Sequence, residues 1–376
     1  MLVRGWKKLL MNNIQSYMNH FNMKNINYKQ ITFAREYRKL SQSELSSKIK
    51  GLSQSNLSKF EKGMGFLSDE VLERIIKYLN FPEDFFKQSI CNTVENAHYR
   101  RKASVLKSER TYIDLSNKLI GYLIDQMSDS LVFPAFNFKF IDLEEGYTPV
   151  LAAQYIRRFL KLDDRPVSDI ISLLEKNGIF IVEIDEDVDV FDGVSFLTDN
   201  GIPVIIINKN FSNDHKRYTI AHELGHIIMH SSREFIFSEK RDKEKEANEF
   251  AGEFLMPAEI IKNSLRYLRL SSLLELKRYW LTSMASIIKR AKNLGMIGDE
   301  KYKYFNIELS RKGYKKEEPL NVYIDKPTLF KEAYKIHRQD LQYSDEELAQ
   351  SFKLPLDIIK RFFVFDDRII SLKLNY

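Results

Sequence analysis

The sequence predicts a mainly α chain with one small β-sheet, an α+β class: an all-α N-terminal domain, a central domain that holds the sheet, and a helical C-terminal region. Three observations carry this reading. Apolar residues recur at helical spacing along most of the chain. Residues 179–184 and the run Val204-Ile205-Ile206-Ile207 are instead short and continuously apolar, as buried strands are. Charge, finally, is divided: residues 1–110 carry 20 Lys and Arg against 10 Asp and Glu, and the remainder carries 38 against 42. The net charge of +6 is thus an N-terminal property, which suits nucleic acid at the first domain and a different partner at the second.

A chain of 376 residues, 44% apolar and 29% charged, has room for two or three globular domains. Its single cysteine, Cys91, excludes an intramolecular disulfide framework, agrees with a reducing cytoplasm, and reads as a small buried side chain. Arg4, Lys7 and Lys8 among short apolar residues look superficially like a secretion signal, but Asn12, Asn13 and Gln15 interrupt the run. No stretch reaches the roughly 18 apolar residues a membrane span requires. The expectation is a cytoplasmic protein with no membrane partner and a loose extension over residues 1–27.

Within residues 28–86 the helical pattern comes in short segments. Ile31, Ala34 and Tyr37 mark the first and Leu45 and Ile49 the second, which Ser41 and Glu44 introduce as a capping box. Gly51-Leu52-Ser53 is a tight turn, and a third helix over 54–62 ends at Gly63. Two short helices joined by a glycine turn, the second polar on its outer face, form a helix-turn-helix. Gln54 and Asn56 have the amides that pair with adenine edges in a major groove; Ser55 and Lys59 suit bases or phosphates, and Gln42 suits a phosphate. Ser53 and Ser58 complete the polar face, while Leu57 and Phe60 point inward against Leu45 and Leu72. Residues 53–63 resemble the recognition segment of XRE/Cro-class repressors, and 79–86 resemble that class's closing helix. The resemblance implies double-stranded DNA as a partner and a homodimer on paired half-sites; the competing reading is a helical domain that binds protein. The basic cluster His98-Tyr99-Arg100-Arg101-Lys102 reads as linker or as further phosphate contact, ahead of an amphipathic helix over 111–127.

Further on stands His222-Glu223-Leu224-Gly225-His226. Two histidines at i and i+4 share one face of a helix and can hold one metal ion between them. Glu223, next to that ion, is the natural general base for a water molecule activated there. The apolar Ile227-Ile228-Met229 that follows argues for a buried helix, where unpartnered histidines and a glutamate are costly. A zinc site needs a third protein ligand. The segment 244–257 offers it, with Ala247, Phe250, Ala251, Phe254 and Leu255 at helical spacing and Pro257 ending the pattern. Glu246, one residue before the apolar stripe, is weighed first; spacing alone leaves Glu253 and Glu249 open. His230, one turn beyond His226, and Tyr218 are candidates for a second-layer or donor role.

These residues resemble the ImmA/IrrE family of zinc metallopeptidases. The shared features are a strand, the lead-in Tyr218-Thr219-Ile220-Ala221, His-Glu-Leu-Gly-His, then Glu246-Ala247-Asn248 through Leu255-Met256-Pro257. Upstream, a helix over 170–176, the stop Asn177-Gly178, the strand 179–184 and a turn at Asp192-Gly193-Val194-Ser195 also look like the family's entry. The resemblance covers residues 150–260. It implies a zincin-like, gluzincin-type domain in which His222, His226 and Glu246 bind Zn2+ and Glu223 is the base. It also implies an endopeptidase acting on a protein substrate, a repressor with a helix-turn-helix being the best-known kind.

The expected organisation is then an N-terminal extension (1–27), an XRE/Cro-type helix-turn-helix DNA-binding domain (28–90), a helical linker (91–149), an ImmA/IrrE-like metallopeptidase domain (150–300) and a C-terminal helical region (301–376). In the last, residues 344–360 read as a helix, a turn and a helix for packing or partner binding, poor in base-reading side chains. Function follows as a DNA-binding transcriptional regulator carrying a zinc-dependent endopeptidase, in stress or mobile-element control. The alternative is a regulator whose peptidase-like half is a non-catalytic sensor; a metal-free scaffold is a third.

Overall fold

The computed structural model describes residues 26–90, 98–99, 107–185, 191–232, 235, 238 and 240–363. Most of the expected extension, Cys91, and Arg100 to Lys102 of the basic cluster lie outside the described residues. The chain divides into two compact units: residues up to 89 together with 349–358, and residues 90–348 together with 359–376. It is mainly helical with one small sheet.

The smaller unit contains α1 (Tyr28–Tyr37), α2 (Gln42–Lys48), α3 (Gln54–Glu61) and α4 (Asp69–Leu79), closed by a 3-10 turn at Glu83–Lys87. The capping box forms as the sequence predicts: the Glu44 N–H donates to Ser41 Oγ at 3.1 Å and the Ser41 N–H to Glu44 Oε2 at 2.7 Å. Ile31, Leu45, Leu57, Phe60, Leu72 and Ile75 are buried together, so the periodic positions are the core. The sequence pattern does not show a buried ion pair that ties the first helix to the third. Arg35 donates from Nε to Glu61 Oε1 at 2.6 Å and from its second terminal nitrogen to Glu61 Oε2 at 2.8 Å, a two-point geometry that compensates burial of both charges.

In the larger unit, α5 (Lys107–Ser128), α6 (Pro149–Phe159) and α7 (Ile170–Glu175) precede the sheet, and α8 (Asn213–His230) and α9 (Lys243–Leu255) follow it. Then come α10 (Ala258–Leu265), α11 (Leu273–Trp280), α12 (Met284–Asn293), α13 (Asp299–Arg311) and α14 (Leu329–Lys335); α15 (Asp345–Ser351) and α16 (Leu356–Phe363) follow, their residues 349–358 belonging to the smaller unit. Helix α5 starts earlier than expected and buries Ile113, Leu119, Ile120, Leu123 and Ile124 completely. Residues 107–128, within the expected linker 91–149, therefore supply core and fall in the same unit as 150–300. No described helix is long and apolar enough to cross a membrane.

The sheet has the order β1-β3-β4-β2, with β1 His98–Tyr99, β2 Phe180–Ile184, β3 Phe191–Leu197 and β4 Pro203–Asn208. β4 runs parallel to β2 and antiparallel to β3, and every residue of it is buried, which explains its unbroken apolar run. The residues expected to turn at 192–195 are instead the interior of β3. Gly193 serves close approach there: a Cβ on it would lie 2.5 Å from Thr219 Cγ2 and 3.6 Å from Glu223 Cγ, so its bareness lets β3 lie against α8. The backbone of 98–99, expected as linker, pairs with β3. Helix α8 packs on β3 and β4 and is covered on its other side by α9. Gly225 lies at that crossing, where a Cβ would come within 3.1 to 3.2 Å of the Phe250 side chain, so its bareness admits α9. The first turn of α8 is anchored by Asp214, which accepts from the buried Lys277 Nζ at 2.5 Å, and Lys277 also reaches Glu318 at 2.9 Å.

Candidate functional site

Helix α8 carries the site because it is buried almost throughout its last three turns. His222, Glu223, His226 and His230 are 8%, 1%, 0% and 5% exposed, so four polar side chains are held inside the protein and need partners. The Nε2 atoms of His222 and His226 face each other at 3.1 Å. Glu244, in the first turn of α9, brings Oε2 to 3.5 Å from His222 Nε2 and Oε1 to 3.5 Å from His226 Nε2. Two nitrogens bound tetrahedrally to zinc at roughly 2.05 Å stand about 3.3 Å apart, by the geometry of such sites. The 3.1 Å separation of the two imidazole nitrogens is close to that spacing, and each of them has a different Glu244 oxygen at 3.5 Å, so one ligand atom from each residue lies within 4.8 Å of the others. This His-His-Glu group is the cluster of potential metal ligands among the described residues.

The expected third ligand is placed otherwise. Glu246 turns away from the His222–His226 pair: its Oε2 lies 2.8 Å from His230 Nε2, and its Oε1 accepts from Arg241 Nε at 2.9 Å. Glu253 is buried against Arg290 and accepts from Gln154 at 3.0 Å, while Glu249 lies 4.0 Å from Lys245 at the surface. A signal for Glu244 was present in the sequence. It shares a helical line with Ala247 and Ala251, both of which are completely buried.

Glu223 accepts from Ser195 Oγ, on β3, at 2.7 Å. Burial pushes the Glu223 carboxyl up to about 7, against the opposing pull of His222 and the Ser195 hydrogen bond. A carboxyl in that range both takes and returns a proton near neutrality. Ser195 is a site residue that the sequence reading missed, since it sat in an expected turn. His230 Nδ1 is 3.1 Å from His226 Nδ1, behind the pair; burial lowers the His230 pKa, partly offset by Glu246. Tyr218 donates to Asn248 Oδ1 at 2.9 Å, and burial raises its hydroxyl to about 12.

In the smaller unit, Gln54, Ser55, Asn56 and Lys59 are exposed along one face of α3, and Ser58 is half-buried beside them. Ser53 caps the helix, its Oγ accepting the Asn56 N–H at 3.1 Å. Gln42 is held in a chain: Gln54 Nε2 donates to Gln42 Oε1 at 3.0 Å, and Gln42 Nε2 donates to Glu61 Oε2 at 2.6 Å. The Arg35–Glu61 pair therefore also orders the two glutamines on the outer face.

Residues 33–86 match the family model described as helix-turn-helix, and residues 174–292 match that of the IrrE N-terminal-like domain, a peptidase family. The chain joins a helix-turn-helix domain to an IrrE N-terminal-like peptidase domain. The peptidase match spans β2 through α12, hence all of His222, Glu223, His226, Glu244 and Ser195. A metal is implied by that family, and the donor set found here fits one. No curated protein matches the chain.

Proposed function

We propose that this protein is a DNA-binding transcriptional regulator carrying a zinc-dependent endopeptidase that cleaves a repressor-type protein in stress or mobile-element control. The reading rests chiefly on one observation: three metal-type donors, one atom each from His222, His226 and Glu244, converge within 4.8 Å of one another, and a buried carboxyl raised to about 7 follows the first of them in sequence. In this reading His222, His226 and Glu244 hold the ion. Zinc bound there supplies Lewis-acid activation of water and of a peptide carbonyl. Glu223 takes the proton from the attacking water and returns it to the leaving amine, and Ser195 fixes its carboxylate orientation. The exposed Gln54, Ser55, Asn56 and Lys59 meet base edges and phosphates, with Gln42 and Ser53 supporting them. A helix-turn-helix on the same chain brings the peptidase to the promoters where repressors sit, which favours a repressor-type substrate in a DNA-bound setting.

The test uses purified full-length protein with Zn2+ and the repressor-like proteins encoded near its gene. A discrete cut that Glu223→Gln loses by about 10²- to 10⁴-fold, while zinc content stays stoichiometric, is the expected result. Normal regulation in cells by Glu223→Gln would instead favour a non-catalytic sensor, and protein purified without zinc would sink both metal-based readings.

A further inference from the structure

The residues behind the metal-type donors form a directional chain. Arg241 holds Glu246 Oε1 from Nε at 2.9 Å and from a terminal nitrogen at 2.7 Å. The other Glu246 oxygen faces His230 Nε2 at 2.8 Å, and His230 Nδ1 faces His226 Nδ1 at 3.1 Å. From there His226 Nε2 looks toward His222 and Glu244. Arg241 is further tied to Glu144 at 3.1 Å, so the chain is anchored outside α8 and α9.

Donor and acceptor roles along this chain follow from its geometry when Glu246, ion-paired with Arg241, is a carboxylate and His230 carries one ring proton. An ionised carboxylate only accepts, so the one ring proton of neutral His230 sits on Nε2. Its Nδ1 is then a lone pair, and the facing Nδ1 of His226 must carry the proton for a hydrogen bond to exist. His226 Nε2 is left as a lone pair aimed at the other donors. We propose that Glu246 and His230 are positioning residues that set the tautomer of His226 and so make its Nε2 the metal-binding atom. This rests on the zinc reading above and assigns Glu246 a place one hydrogen-bonded histidine away from the ligands. Outer partners of this kind orient a ligand imidazole and raise its basicity.

Two measurements test it. The first is a long-range proton–nitrogen correlation spectrum of histidine-labelled, metal-free wild-type protein, which reads each ring's tautomer without any substitution. It is expected to show His226 protonated on Nδ1 and His230 on Nε2; the opposite tautomer on His226 overturns the proposal. The second is zinc affinity by competition with a chromogenic chelator. Glu246→Ala and His230→Phe are expected to weaken it about 10- to 100-fold, the usual loss on removing an outer partner. His230→Gln is expected to restore most of it, because its amide N–H donates to Glu246 and its carbonyl accepts from His226. Wild-type affinity in Glu246→Ala, or equal losses in His230→Phe and His230→Gln, overturns the proposal. If wild-type protein binds no zinc, the metal reading fails by itself, while the tautomer spectrum still decides the directional chain.

Discussion

Removing the Glu244 carboxylate separates the two acidic residues of α9 that compete for the role of third ligand. Glu244→Ala deletes the one carboxylate of a donor group whose ligand atoms lie within 4.8 Å of one another, leaving two imidazoles and no anionic ligand. Loss of an outer partner alone costs about 10- to 100-fold in metal affinity, so loss of a direct ligand should exceed about 100-fold. Glu246→Ala, which touches only the His230 side, should fall inside the 10- to 100-fold band. Because the Glu244 side chain is 53% exposed, its removal leaves no buried void and the fold should survive, as circular dichroism would report. The assay is competition for Zn2+ against a chelator of known affinity, run on both variants side by side. A larger loss in Glu246→Ala than in Glu244→Ala refutes the reasoning, since it would mean the carboxylates exchange roles when the ion binds.

Other consequences can be measured independently. Gly193→Ala sets a methyl 2.5 Å from Thr219 Cγ2 and should destabilise the larger unit by about 1–3 kcal/mol in urea unfolding, with Thr219→Ser relieving much of the loss. Burial works against the Asp214 carboxylate, but Lys277 and Ser212 outweigh it and hold its pKa below the ordinary value. Its contribution to stability is therefore complete above the unfolded pKa of about 3.9 and lost as pH falls through the lower folded value. Asp214→Asn should be less stable than wild type at pH 6 and should lose less between pH 5 and pH 3; parallel losses would contradict this. Asn56→Ala should cost about 1–3 kcal/mol of operator binding and relax preference at one base pair, whereas Lys59→Ala should weaken all sequences alike and lower the salt slope by about 1, both readable by fluorescence anisotropy.

Legibility in the sequence varied with how local the determining physics is. The helix-turn-helix was readable in detail because capping at Ser41, the glycine stop at Gly63 and the inward Leu57 and Phe60 all act over one or two turns. The pairing of His222 and His226 was readable for the same reason, since helical periodicity alone brings them to one face. β3 was not, because Asp192-Gly193 has turn composition and only the neighbouring Thr219 explains the glycine. Helix α5 read as linker until its buried side chains showed which unit it completes.

The order of the two domains, the helix that carries His222 and His226, and the exposed polar face of α3 were thus determined by the sequence itself, through periodicity, capping and charge. Which carboxylate lies beside the two histidines was decided only by tertiary structure. Glu244 and Glu246 are two residues apart and chemically identical, and the angle at which α9 crosses Gly225 turns one toward His222 and His226 and the other toward His230 and Arg241. The same holds for Ser195 and the Arg35–Glu61 pair: each joins groups distant in the chain, so its energy exists only once packing has brought them within hydrogen-bond reach.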